Sequence, residues 1–192
     1  MPRAVGVKAM VDRAAVALFA AKGVDGVSIA DIAAAAGVSQ GALYRHYRSK
    51  DELASRLFST AFLRTGAELD AIRAERSGFA ARVGAMAEHF CRLYDTDPAL
   101  FRFMLIAQHD LLPGIGDGGQ TPTAVIEDTV ADAVAAREIA CTEVPAAAAV
   151  IMGVILQPAL FHLYGRLRGP LLPRAPALAR AAVAAVEALA CG

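Results

Sequence analysis

Residues 28–53 constrain the fold of this chain more tightly than any other stretch. Ser28 is suited to cap a helix N-terminus, and Asp31 three residues later completes a capping-box pattern that also favours the positive helix end. Ile29, Ile32, Ala33 and Ala36 then recur at helical spacing. Gly37 stands where a left-handed residue would end that helix, since glycine takes positive φ without a Cβ clash. Val38 is expected in the turn, and Ser39 caps a second short helix. On that helix Leu43 and Tyr47 share an inward face, while Gln40, Gly41, Tyr44, Arg45 and Arg48 fall on the other. Ser49 and Glu52 form another capping box, so a new helix starts near Lys50. Upstream, Val11, Ala15, Leu18 and Phe19 make an apolar stripe that packs over the two short helices, and Gly23 ends it.

Two short helices joined by a tight turn are a helix-turn-helix, which reads DNA by laying the start of its second helix in the major groove. The residue types fit that task. Gln40 can pair with adenine edges, and Arg45 with guanine or a phosphate. Gly41 and Ala42 lack bulk and permit close approach to bases or thymine methyls. Tyr44 and His46 can donate to phosphates, and Lys50 sits at a helix start that itself attracts phosphate. Caps and glycines alone fit an exposed helical hairpin of some other α-helical protein equally well.

The wider pattern separates these readings. Phe19 to Gly23, Val27 to Ala33, Ala36 to Ser39, Leu43 to Tyr47 and Ser49 to Leu53 together resemble the N-terminal DNA-binding domain of TetR-type transcriptional regulators, without a gap over residues 8–55. The resemblance implies an all-α protein of about nine helices. Its residues 1–50 would form a three-helix DNA-binding domain, and its residues 51–192 an effector-binding and dimerisation domain. It also implies repression relieved by a small molecule. By position, Ser28, Ser39, Gln40, Ala42, Tyr44, His46 and Lys50 would contact DNA, with Gly41 and Arg45 beside them. Tyr47 stands where phenylalanine is common, and Gly41 where bulkier residues are.

Charge is distributed accordingly. Residues 1–50 hold seven Lys and Arg against three Asp, a net of +4, and the remainder has a net of −4. A basic head on an acidic body concentrates phosphate attraction at the reading surface. The alanine-rich composition favours helices. Cys91, Cys141 and Cys191 show no metal or redox spacing, and His89 with Cys91 makes a poor metal site, so free thiols in a cytoplasmic protein without metal or cofactor are expected. No signal peptide is evident.

Beyond the head, the pattern predicts helix four from Lys50 to about Thr65, with Leu53, Leu57, Phe58 and Ala61 inward. Helix five runs from about Gly78 to Tyr94, and helix six from Asp97-Pro98 to about Gln108. Residues 112–120 form a glycine-rich connector rather than a phosphate cradle, lacking the Gly-Lys-Ser/Thr that a P-loop needs. Helix seven reaches about Ile139, and helix eight opens at Pro145 with a kink expected at Pro158. The last helix spans about Pro176 to Leu189. Val144 to Gly165 is 22 residues without a formal charge, long enough to span a bilayer. Its alanine content, Gln157 and His162 favour a helix buried between protein surfaces instead.

In TetR-like proteins the last two helices of each subunit build the dimer interface. Ala146, Ala149, Gly153, Ala181, Ala182, Ala184 and Ala185 permit close approach here, and Val150, Ile151, Leu156 and Val183 supply burial. A twofold homodimer predicts a palindromic double-stranded operator. Met86, His89, Phe90, Phe103, Met104, Gln108, Met152, Gln157, Phe161 and Tyr164 are candidates to line an effector pocket, whose low charge points to a neutral, hydrophobic ligand. The same residues at helical spacing would also serve as ordinary core. An enzyme would need converging catalytic groups; Glu127 and Asp128, adjacent on a helix, do not face one another. An effector-independent architectural DNA-binding protein is the other alternative, and the neutral overall charge stands against it.

Overall fold

The computed structural model describes residues 6–115, 120–140 and 143–189. Cys141, Cys191 and the glycines of the connector at 116–119 lie outside them. The described residues form nine α-helices and two short 3-10 turns: α1 (Val7–Lys22), α2 (Ile29–Ala36), α3 (Gln40–Tyr44), α4 (Lys50–Glu75), α5 (Phe79–Thr96), α6 (Pro98–Leu111), α7 (Pro122–Ala135), α8 (Val144–Leu163) and α9 (Ala175–Leu189). No strand occurs among them. The all-α fold expected from the sequence is the fold found.

The chain divides into two compact units that do not follow its linear order. One comprises residues 1–62 and 99–119, the other residues 63–98 and 120–192. The first therefore joins α1–α3 and the first half of α4 to most of α6. Its core is aromatic: Phe19 stacks on Phe103 at 5.6 Å, Phe58 stacks on Phe62 at 5.1 Å, and Phe58 meets Phe103 edge-on. Val11, Ala15, Ile32, Leu43, Tyr47 and Leu53 complete it, all essentially inaccessible. Leu18 and Leu57, expected inside, are only half-buried.

The second unit packs α5 against α8 and α9, and α8 against α7 and α9. Val83, Met86, Val125, Ile126, Val130, Ile151, Ile155, Ala182 and Val186 fill its interior. The Glu138 carboxylate accepts from the Phe79 amide at the start of α5, and Asp95 accepts from the amides of Leu171 and Leu172. Arg73 bridges Asp70 on its own helix to Asp132 on α7, which also receives Arg82 of α5. These bonds tie the helix ends to each other where short loops cannot.

Three helix boundaries differ from the sequence reading. Helix α4 runs ten residues past Thr65, through Gly66 to Glu75. Gly66 is buried and lies against the chain entering α7, where an added Cβ would stand 1.8 Å from the Gln120 carbonyl oxygen. It is a point of close approach rather than a helix stop. Helix α3 ends at Tyr44, but the Tyr47 N–H still donates to the Leu43 carbonyl at 3.1 Å, which keeps both side chains on the buried face. Helix α7 stops at Ala135 rather than near Ile139 because Arg137 takes a left-handed conformation, φ 58°, and the amides of Ala136, Arg137 and Glu138 turn back onto its last carbonyls. Helix α8 passes through Pro158 without interruption to Leu163.

Gly66→Ala is expected to lower the unfolding free energy by about 1–3 kcal/mol, since backbone cannot yield as a side chain does. Gly84→Ala in α5, where a Cβ meets nothing within 4 Å, should instead raise it by about 0.5–1 kcal/mol. Urea denaturation monitored by circular dichroism measures both; equal midpoints for the two variants would contradict the close approach.

Candidate nucleic-acid interface and effector residues

The segment of α2 and α3 is built from caps upward. Ser28 Oγ accepts from the Asp31 N–H at 3.1 Å while the Asp31 carboxylate accepts from the Ser28 N–H at 2.9 Å and its hydroxyl at 2.6 Å. These bonds from Ser28 hold the Asp31 carboxyl below the usual carboxylate range. Gly37 closes α2 in the left-handed conformation, φ 67° and ψ 31°, its N–H returning to Ala33 and Ala34. Ser39 Oγ then accepts from the Ala42 N–H at 3.2 Å. At α4, Ser49 Oγ accepts from the Glu52 N–H, but the Glu52 carboxylate reaches back to the Arg48 amide, one residue beyond a strict capping box.

Between these caps, α3 sorts its side chains sharply. Leu43 and Tyr47 are buried, whereas Ser39, Gln40, Gly41, Tyr44, Arg45, His46 and Arg48 are exposed, Tyr44 to 53%. Lys50 is half-buried at the start of α4. Ala42 turns inward and is only 8% exposed. The Ser28 hydroxyl is engaged in its cap, and Ser39 serves the same end for α3. What α3 presents outward is therefore the edge formed by Gln40, Gly41 and Tyr44, flanked by Arg45, His46 and Arg48. A Cβ on Gly41 would find only the Ser39 Oγ, 4.0 Å away, so the glycine leaves open space over the outer surface. Polar donors on a protruding helix start, with cations on either side, have the chemistry of base-edge contact framed by phosphate contact.

The effector candidates are distributed between the two units. Phe103, Met104 and Gln108 lie in the first, where Phe103 and Met104 belong to the core. Met86, His89, Phe90, Met152, Gln157, Phe161 and Tyr164 lie in the second. There Met86 and Phe90 are buried, Gln157 is exposed, and Phe161 and Tyr164 are 48% and 68% exposed. Thr123 donates to the Met152 sulfur and buried Thr129 to the Met86 sulfur, at 3.8 and 4.0 Å. His89 lies 3.3 Å from the Glu68 carboxylate, yet its Nε2 is buried without a hydrogen bond. Burial holds this imidazole below its ordinary value, outweighing the opposite pull of Glu68.

A cleft of about 330 Å³ in the first unit went unread in the sequence. Phe19, Ala54, Phe103 and Ala107 line it, with Lys22, Asp25, Asp51 and Asp110. Its walls come from α1, α4 and α6, so no local motif announces it. Burial raises the Cys91 thiol to about 11, which leaves it protonated and inert at neutral pH. Among the described residues, no group of three His, Cys, Asp or Glu side chains is placed to hold a metal.

Comparison with known proteins agrees with this geometry. Residues 13–57 match the family model described as bacterial regulatory proteins, tetR family. No curated protein sequence matches the chain. Among solved structures, a regulatory protein of the tetR family from Rhodococcus RHA1 superposes with a TM-score of 0.80 at 20% identity, covering 95% of this chain and 97% of that one. The fatty acid degradation regulator FadR from Bacillus halodurans gives 0.77 at 15% identity, covering 90% and 92%. FadR from Bacillus subtilis, solved in complex with stearoyl-CoA, gives 0.70 at 16% identity, covering 91% and 96%. The chain thus carries a tetR-family regulatory domain at its N-terminus on an all-α TetR-like fold. The family likeness in sequence covers residues 13–57, and over nearly the whole chain these solved structures show a likeness of fold.

The state of His89 has a measurable consequence. The unfolded chain takes up a proton near pH 6.5 while the folded state resists it until lower pH, so His89 costs stability as pH falls through that value. His89→Phe should flatten the pH dependence of the melting temperature between about pH 7 and 5. An unaltered slope would show that the imidazole is already charged in the folded protein.

Proposed function

We propose that this protein is a sequence-specific, DNA-binding transcriptional regulator, a cytoplasmic homodimeric repressor released from its operator by a small hydrophobic effector. The single observation that carries the reading is the outward edge of α3, whose polar and cationic side chains stand exposed while Leu43 and Tyr47 are sunk in the core. Gln40 and Arg45 read bases, Gly41 admits the groove wall, and Tyr44, His46 and Lys50 hold register on the phosphates. Ser28 and Ser39 add phosphate contacts from their caps. Ala42, being nearly buried, contributes through the closeness it allows.

Functionally, residues 1–50 serve as the DNA-binding domain and residues 51–192 as the effector-binding and dimerisation domain. Helix α4 is one uninterrupted rod shared by both compact units, which suits it to carry a ligand's effect to the head. The size of that effect is bounded by the ligand's differential affinity for the two states. The effector would lie among the candidates of the second unit, Met86, His89, Phe90, Met152, Gln157, Phe161 and Tyr164. Bound stearoyl-CoA in one fold neighbour supports a ligand with a long apolar part.

Helix α8 is long and apolar enough to cross a membrane by length and composition, with 28% of its apolar window buried within the chain. A second copy is the cover we favour. Ala149 and Gly153 on α8 and Ala181 and Ala184 on α9 are exposed and small, as close helix packing between subunits requires, whereas Ile151 and Ala182 are already used inside the protomer. Gly153→Arg, which meets open space in the protomer, should leave helix content intact and give a monomer in sedimentation velocity. A persistent dimer would place the interface elsewhere.

Selection from a pool of random duplexes tests the DNA reading. The expected product is a palindrome whose two half-sites are footprinted about one helical turn or more apart. A saturating effector with a long apolar part, stearoyl-CoA being the first to try, should weaken that binding by roughly 5–150-fold. Enrichment of no sequence would leave a non-specific architectural role, and a single asymmetric half-site would overturn the dimer.

A further inference from the structure

Tyr47 closes the reading segment, and its hydroxyl does something a phenylalanine there cannot. It donates to Asp12 Oδ1 on α1 at 2.5 Å, across 35 residues of sequence. The other oxygen of that carboxylate, Oδ2, is held by Lys8 Nζ at 2.7 Å, one turn earlier on the same helix. Lys8 also stands 5.5 Å from the centre of the Tyr47 ring, and Arg56 of α4 approaches the ring at 5.4 Å. The ring itself is 1% exposed. Burial among apolar neighbours fixes how deep a ring sits but leaves it free to slide and rotate in its plane, because the hydrophobic effect is non-directional. A charge-assisted hydrogen bond removes that freedom.

Helix α3 needs such a constraint. Five residues give it barely one turn, too short for its own hydrogen bonds to hold a direction. Its two inward anchors are Leu43, within it, and Tyr47, three residues past its end. Leu43 can be positioned by packing alone; Tyr47 is additionally tied to α1.

Building on the DNA-binding reading above, we propose that the Lys8–Asp12–Tyr47 clasp is a positioning device that sets the angle of α3, so that Tyr47 and Asp12 determine selectivity for operator over other DNA without touching either. Attraction to phosphates depends on charges that tolerate a tilted helix. Base-edge contacts by Gln40 and Arg45 do not tolerate it, since a bidentate pair requires alignment. Loosening the clasp should therefore lower operator affinity and leave affinity for random duplex intact.

The test uses the full-length protein and the duplex enriched by selection. Dissociation constants for that duplex and for a scrambled one are measured for the natural chain, Tyr47→Phe, Asp12→Ala and Asp12→Asn, well below each melting temperature. Tyr47→Phe and Asp12→Ala should each reduce the operator-to-scrambled ratio by roughly tenfold, the loss of one charge-assisted hydrogen bond. Asp12→Asn keeps a carbonyl oxygen that can accept from Tyr47 and should retain most of the ratio. A purely structural contribution would lower the melting temperatures and leave the ratio unmoved, which overturns the proposal. So does a ratio lost in Asp12→Ala but kept in Tyr47→Phe, or an Asp12→Asn as impaired as Asp12→Ala. If the natural chain enriches no sequence, it is the DNA-binding reading that fails.

Discussion

A helix of five residues cannot hold itself in place, and the first unit of this structure is organised around that constraint. The dihedral entropy of ordering so short a helix is not recovered by the few backbone hydrogen bonds it makes. Helix α3 persists because Ser39 Oγ accepts from the Ala42 amide, Gly37 turns the chain into it, and Leu43 and Tyr47 are buried where α3 packs on α1 and α2. The aromatic cluster of Phe19, Phe58, Phe62 and Phe103 joins α1, α4 and α6 within the same unit.

The same economy explains what α3 presents outward. Ala42 and Leu43 face in, and the outer edge carries Gln40, Gly41 and Tyr44. Gly41, poor for helix stability, is tolerated there because stability is supplied from below. Ala42 shows the limit of this division: small enough to suit close approach, it is nearly enclosed by its own fold.

How much of this was legible beforehand follows from where each signal is stored. Caps and stops are written in neighbouring residues, so Gly23, Ser28 with Asp31, Gly37 and Ser39 mark the end of α1, both ends of α2 and the start of α3. Gly66 lies inside α4, where a glycine in a helix pattern means either a stop or a close approach, and only the Gln120 carbonyl lying against it distinguishes them. Arg137 ended α7 early through a left-handed turn that no residue preference announced. The effector candidates carry no such local signal. Aromatic and methionine residues at helical spacing are equally what a core demands, and Phe103 belongs to the aromatic core of the first unit. The bond between Asp12 and Tyr47 was illegible for the plainest reason: its partners are 35 residues apart.

We propose that DNA is read by the outward edge of α3, held from below. Hydrogen–deuterium exchange on the full-length protein with and without its selected duplex tests it directly. The account predicts new protection concentrated in residues 39–50, with the amides of the α5–α8–α9 core unchanged. Protection confined to α8 and α9, with residues 39–50 exchanging as before, would contradict it.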